Sequence, residues 1–303
     1  MMSIPAIRIL LAPSADLARS LPVPDLTVEA EYGSFVLEGS LYTAAHHQPI
    51  GSRYAGRHIG GAMSSPCNDS NIPVVVESGG TVVVSHVDLD TFGGCLRAMG
   101  VDIFDGAGSF WESAELVDCN GAHKLQVLEI SLEDQLKLQA FWAWSRTNIP
   151  RGFSRTEVTD ITTHVIAAGE ALEAILMEDP KLLQVGMDAV KEEATLNASS
   201  FQENRGGVIV RQSDQFVNHL YFSPAGEQGK AVVTRNTKTG SIMVSLYDPI
   251  SGFSCRDFVQ SLWGSEAGGH AGIAGSPREA SYTVEDLSEV TTKLIEALAA
   301  LPA

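Results

Sequence analysis

The stretch TVVVSHVDLDTFGGCLRAMG, residues 81–100, decides the fold. Its opening run of four β-branched residues has the composition of a strand buried on both faces, and TFGGCLRAMG reads as a short helix ending at Gly100. Strand, loop and helix in that order are one unit of an α/β sheet, and ligands of such sheets gather at the carboxyl ends of the strands. His86, Asp88 and Asp90 fall there, at i, i+2 and i+4 after the strand. Histidine nitrogen with carboxylate oxygen suits manganese, iron or zinc better than calcium, and two close carboxylates can bridge a pair of ions. The same pattern also fits a polar turn at a strand end, so the reading depends on partners elsewhere.

Working outward, residues 6–24 read as a first strand and helix rather than a signal peptide, and 27–49 alternate apolar and polar residues as one or two strands do. Residues 51–73 form a Gly-, Ser-, Asn- and Pro-rich loop too long for a plain connector. A second short apolar stretch, in SAELVDCNGAH, is expected to be a strand delivering Asp118 and His123 to the same edge, unless Asp118 merely caps the turn DCNG. His46 and His47, at the end of SLYTAA, are further imidazoles for that edge or an exposed pair. Residues 131–145 read as a helix with Ser131 as its N-cap, and others are expected over 156–177 and 179–196. Asp160 and His164 then share one helical face, as a surface contact rather than a ligand pair.

Near residue 200 the pattern changes to short alternating strands broken by PAG and KTG turns. The expected architecture is therefore α/β: a mostly parallel sheet flanked by helices over 1–198, then a smaller α/β domain over 199–303 with a largely antiparallel sheet and an amphipathic C-terminal helix. In AGGHAGIAGSPR, residues 267–278, the glycines permit close backbone approach and exposed amides that can cradle an anion, with His270 as a donor. The competing reading is a flexible loop.

Composition limits the partners. Of 303 residues 44% are hydrophobic and 19% charged, with no apolar run near the roughly 20 residues of a membrane-spanning helix. Thirty-seven acidic against 20 basic side chains give a net charge of −17, which disfavours duplex nucleic acid. Cys67, Cys95, Cys119 and Cys255 form no CxxC pair, consistent with a reducing cytoplasm.

Together, TVVVSHVDLDTFGG, LVDCNG and VVTRNTKTGSIMVSL followed by AGGHAGIAGSPR resemble the DHH phosphoesterase superfamily. That resemblance implies a metal-binding domain followed by a DHH-associated domain bearing a GGH motif. It implies two manganese ions, or Mg2+ or another divalent metal, held by His86, Asp88, Asp90 and Asp118, with His123 or His47 completing the set. It further implies catalytic roles for Asp88, Asp90 and His270, and substrate contacts from Gly268, Gly269, His270, Arg235 and Arg278. The chain departs from the family in lacking an Asp-His-His triplet after Asp118; His46-His47 lies upstream and would have to arrive by a rearranged chain order. Tyr247 stands where family members often place an arginine, for which Arg235, Arg211 or Arg278 is the expected substitute. The implied activity is metal-activated hydrolysis of a small phosphoester or short single-stranded oligonucleotide in a cleft between the domains, by a cytoplasmic protein compatible with a homodimer. The alternative is a catalytically divergent nucleotide- or phosphate-binding regulatory protein.

Overall fold

The computed structural model describes residues 7–47, 58–59, 62–63, 65–75, 79–101, 107–150 and 152–301. The chain divides into two compact units, Met1–Ala189 and Val190–Ala303. Of the loop expected over 51–73, residues 51–57, 60–61 and 64 lie outside the described residues.

In the first unit, β1 (Arg8–Leu11) leads into α1 (Ala15–Ser20), followed by β2 (Leu26–Val28), the hairpin β3 (Glu31–Tyr32) and β4 (Phe35–Val36), and β5 (Tyr42–Ala44). A small hairpin, β6 (His58–Ile59) with β7 (Ala62–Met63), and a 3-10 turn at Pro66–Asn68 precede β8 (Thr81–Val84) and α2 (Leu89–Ala98). Then come α3 (Gly108–Asn120), α4 (Leu132–Asn148), β9 (Thr159–Asp160) and α5 (Thr162–Leu176), and α6 (Pro180–Ser200) begins here and ends in the second unit. The sheet order is β5-β2-β8-β1-β9, parallel throughout except for β9, which runs antiparallel along β1. Period-2 alternation explains its burial on both faces: Val82 and Val84 join the large core of Phe92, Leu96, Phe141 and Leu172, while Val83 joins Leu10, Ala12 and Ala18 on the other side.

Register fixes the site. Val28 pairs with both Val84 and Ala44, so the parallel strands β2, β8 and β5 end level, and the residues that follow each of them emerge at one edge. α2 then settles closely over this edge because it carries Gly93 and Gly94. A Cβ on Gly93 would lie 2.8 Å from the Cα of Cys67, and one on Gly94 would lie 2.8 Å from Val28 Cγ1. The paired glycines thus let the Pro66–Asn68 turn press against the helix.

Three expectations change. The stretch holding Asp118 is the helix α3 rather than a strand, because Phe110, Trp111, Ala114 and Val117 recur at helical spacing and are all buried. The helix expected from 156 begins at Thr162; Thr159 and Asp160 instead extend the sheet. Asp160 therefore shares no helical face with His164: it accepts from Thr162 N at 3.1 Å and pairs with Arg8 at 3.3 Å, whereas the His164 ring packs edge-on against Phe153. The helix expected at 131–145 forms as α4, with Ser131 Oγ accepting from Asp134 N at 3.0 Å.

The second unit contains a six-stranded sheet. β10 (Phe201–Arg205), β11 (Val208–Ser213), β12 (Ala231–Asn236) and β13 (Ile242–Leu246) are followed by α7 (Cys255–Trp263), β14 (Gly268–Gly269), β15 (Ile273–Gly275) and α8 (Val284–Ala299). The order is β10-β11-β12-β13-β15-β14, antiparallel save for the β11–β12 pair. Val208, Val210, Val233 and Val244 pack with Phe258 of α7 and with Leu287 and Leu294 of α8, whose N-terminus is closed by a Thr283/Asp286 capping box. Among the described residues, no helix is long and apolar enough to cross a membrane.

Candidate metal centre

At the level edge of β2, β5 and β8, ionisable side chains crowd together. Glu29 follows β2 and is 1% exposed, with φ at +52°, a left-handed backbone that non-glycine residues adopt with strain. Its Oε1 faces the His46 ring and lies 3.5 Å from His47 Nε2, and its Oε2 lies 2.9 Å from His86 Nε2. His46 is also buried, and its Nε2 lies 3.1 Å from Asp118 Oδ2 near the end of α3. Asp118 thus joins the cluster from a helix.

Each of these groups is held from behind. Glu31 Oε2 accepts the backbone N–H groups of His46 and His47 at 3.2 and 3.3 Å, fixing the turn that carries the pair. Asp88 divides its carboxylate: Oδ1 caps α2 by accepting from Thr91 N at 2.9 Å, while Oδ2 lies 3.0 Å from His86 Nε2. Asp90 Oδ1 accepts from Cys67 N at 3.0 Å and from the Ser65 hydroxyl. The same turn is anchored by Glu115, which accepts from Ser65 N and from Asn68 Nδ2, each at 2.9 Å. His86 is oriented through Ser85, whose hydroxyl donates to Glu29 O and stands 2.9 Å from His86 Nδ1. The serine can then accept from Nδ1–H, which turns Nε2 toward the carboxylates, the arrangement that supports a ligating imidazole.

Three sets bring their ligand atoms within 4.8 Å of one another: Glu29, Glu31, His46 and His47; Glu29, His86 and Asp88; and His46, Asp90 and Asp118. Glu29 and His46 each belong to two sets, so the groups form a chain rather than isolated pockets. The donor set fits a divalent cation. Both Glu29 oxygens, Asp90 Oδ2, Asp118 Oδ2 and His46 Nδ1 are buried within the cluster, so several carboxylates share two imidazoles, a crowding that a cation would relieve. No cysteine belongs to any of the three sets among the described residues, so their donors are nitrogen and oxygen, as Mn, Fe or Zn would take.

Electrostatics within the cluster are polarised. Burial alone would raise the Glu29 carboxyl, but hydrogen bonds from His46 and His86 hold it well below the usual carboxylate range. Burial likewise opposes charging of both imidazoles, yet the facing carboxylates, Asp118 and Glu29 for His46 and Asp88 and Glu29 for His86, push each up to about 11. Asp90 is raised well above its ordinary value, first by burial and then by repulsion from Glu29, Asp118 and Asp88. Without a cation, therefore, the rings carry the compensating charge. Their contribution to stability is full below the unfolded histidine value of about 6.5 and is lost as pH rises toward 11. A metal takes only the neutral ring, so apparent affinity should climb with pH over the same interval. Adding Mn2+ at pH 7 should release at least about two protons per chain, those of the His46 and His86 rings, read with an indicator dye in weak buffer. Binding without acidification would remove both imidazoles from the ligand set.

The other expected residues lie elsewhere. His123 sits in the 3-10 turn Ala122–Lys124 and belongs to none of the three sets. His270 is exposed in the turn between β14 and β15, its N–H donating to Ile273 O at 2.7 Å. Gly269 has a structural reason to be glycine: at φ +149°, a Cβ there would lie 2.5 Å from Ala274 Cα. Gly268 has open space around its Cβ position. Arg278 is exposed, and half-buried Arg235 donates to Tyr282 O at 2.6 Å. Arg211 is no phosphate clamp: it is fully buried with its donors committed to protein acceptors, because α6 and the 217–222 segment turn their carbonyls toward it.

Sequence reasoning overlooked Glu29 and Glu31. Their i, i+2 spacing in VEAE, after an apolar strand, repeats the pattern that singled out Asp88 and Asp90 and was the available signal.

No family model matches the chain, and no curated protein matches it. Among solved structures it is similar to an uncharacterized protein from Helicobacter pylori G27, at 11% identity over 71% of this chain and 67% of that one, with a TM-score of 0.21. A likeness that weak carries no argument.

Proposed function

We propose that this chain is a divalent-metal-dependent phosphoesterase of the DHH type acting on small phosphoesters. The carrying observation is the chain of three ligand sets linked through Glu29 and His46, in which buried carboxylate oxygens crowd around shared imidazoles. Glu29, His46, His86, Asp88, Asp90 and Asp118 would hold two Mn2+ ions or comparable cations. When bound, such ions supply the Lewis acidity that makes water nucleophilic at neutral pH and polarises a phosphoryl oxygen.

The protein's own part is positioning. Cys67 N and Ser65 fix one oxygen of Asp90 and leave Oδ2 to face the cluster; Ser85 fixes the ring of His86; Glu31 fixes the histidine pair. On this reading His46, carried in after β5, would take the part of a histidine of the missing triplet. The net charge of −17 favours a small substrate over a polyanion.

Asp88 gives the cleanest test, because its ligand role can be separated from its cap. Asp88→Ala should abolish Mn2+-dependent hydrolysis of bis(4-nitrophenyl) phosphate, and Asp88→Asn should do the same while retaining the helix cap. Full activity in both variants would refute the assignment.

A further inference from the structure

We propose that a cavity of about 390 Å³ in the first unit, with His86 in its wall, is a subsite for a small anion carrying a flat apolar group, and that Arg146 and Arg155 bind the anion. The proposal deepens the phosphoesterase reading, since His86 belongs to both this wall and a ligand set, but its own evidence is independent of metal.

Charge comes first. In a chain of net charge −17, two arginines line a single cavity. The other described arginines of this unit are all engaged: Arg8 with Asp160, Arg19 with Asp16, and Arg97 with a partner of its own. Arg146 and Arg155 have no ion pair or hydrogen bond to another described side chain, and they leave two guanidinium forks available to an anion. Ser85 and Ser154 add hydroxyls to the same lining.

Shape supplies the second half. Ile149 ends α4 and is buried, and Phe153 is half-buried with its ring edge-on to His164 at 5.5 Å between centroids. These residues add apolar surface to the lining that holds its charges. Its volume lies at the small end of ligand sites, enough for a single ring and its anionic group rather than a polymer. His86, which lines the cavity, also touches Glu29 and Asp88 through its ring. A phosphoester could therefore place its non-reacting, aromatic and anionic part here, beside the proposed ions.

The test uses the full chain and two titrations. In the first, without added metal, phenylphosphonate should bind at least about tenfold more tightly than methylphosphonate, and Arg146→Ala/Arg155→Ala should weaken phenylphosphonate by at least about tenfold. In the second, Mn2+ should bind that double variant as it binds the unaltered protein. Arginine-independent phenylphosphonate binding, or no binding, overturns the subsite whatever the metal result. Arginine-dependent binding with no Mn2+ uptake upholds the subsite and overturns the phosphoesterase reading instead.

Discussion

Glu29→Gln is expected to lower Mn2+ affinity by more than the roughly 10–100-fold that follows loss of a ligand's hydrogen-bond partner, and to take phosphoester hydrolysis to background. The reason is topological. Glu29 is shared by two of the three ligand sets and touches His46, His47 and His86, so no neighbour can replace it. Glutamine keeps the volume and one acceptor oxygen but removes the charge that sustains the buried His46 imidazolium and the more exposed one of His86. The pH dependence of the metal-free protein should therefore flatten as the histidines lose their carboxylate. Calorimetric titration with Mn2+, run beside thermal unfolding from pH 6 to 10, reads both effects. Unchanged affinity in a folded variant would show that the cluster is only an ion-pair network.

A second large effect is expected from Arg211→Met. This guanidinium donates to Leu220 O at 2.8 Å, Asn197 O at 2.8 Å, Ser200 Oγ at 2.9 Å, Asn197 Oδ1 at 2.5 Å and Phe222 O at 2.7 Å. It ties the end of α6 to the segment before β12. Methionine fills the space but leaves several buried acceptors without donors, a loss of at least about 3 kcal/mol at roughly 1–3 kcal/mol for each. Scanning calorimetry should show the second unit melting earlier, with Mn2+ binding unaltered. An unchanged melting profile would contradict this structural role.

Much of the architecture was legible because local signals agreed with the fold. The TVVV run, the Ser131 cap and the change of periodicity near residue 200 each report burial or capping that needs no distant partner. What failed was decided at a distance. Asp118 read as a strand end because LVDCNG is too short to reveal its period; only Phe110 and Trp111, a turn and more upstream, disclose the helix. β9 is two residues long and exists because β1 offers an open edge. Arg211 follows the apolar run VIV as a strand-end arginine would, and its burial follows from carbonyls on two other segments.

The candidate site divides in the same way. His86, Asp88 and Asp90 sit within five residues, so their proximity is a property of the sequence. His46 and Glu29 join them through the level register of β2, β5 and β8, which no single segment encodes. His270 and its glycines stood out by composition, and Gly269 proves to be required by the close pairing of β14 with β15.

The most direct measurement is the number of Mn2+ ions bound per chain, by titration and elemental analysis, in the unaltered protein and in Glu29→Gln. About two ions are expected in the first, as the linked ligand sets allow, and a weakened or empty site in the second. A folded, unaltered chain that takes up no divalent cation at millimolar concentration would contradict that expectation.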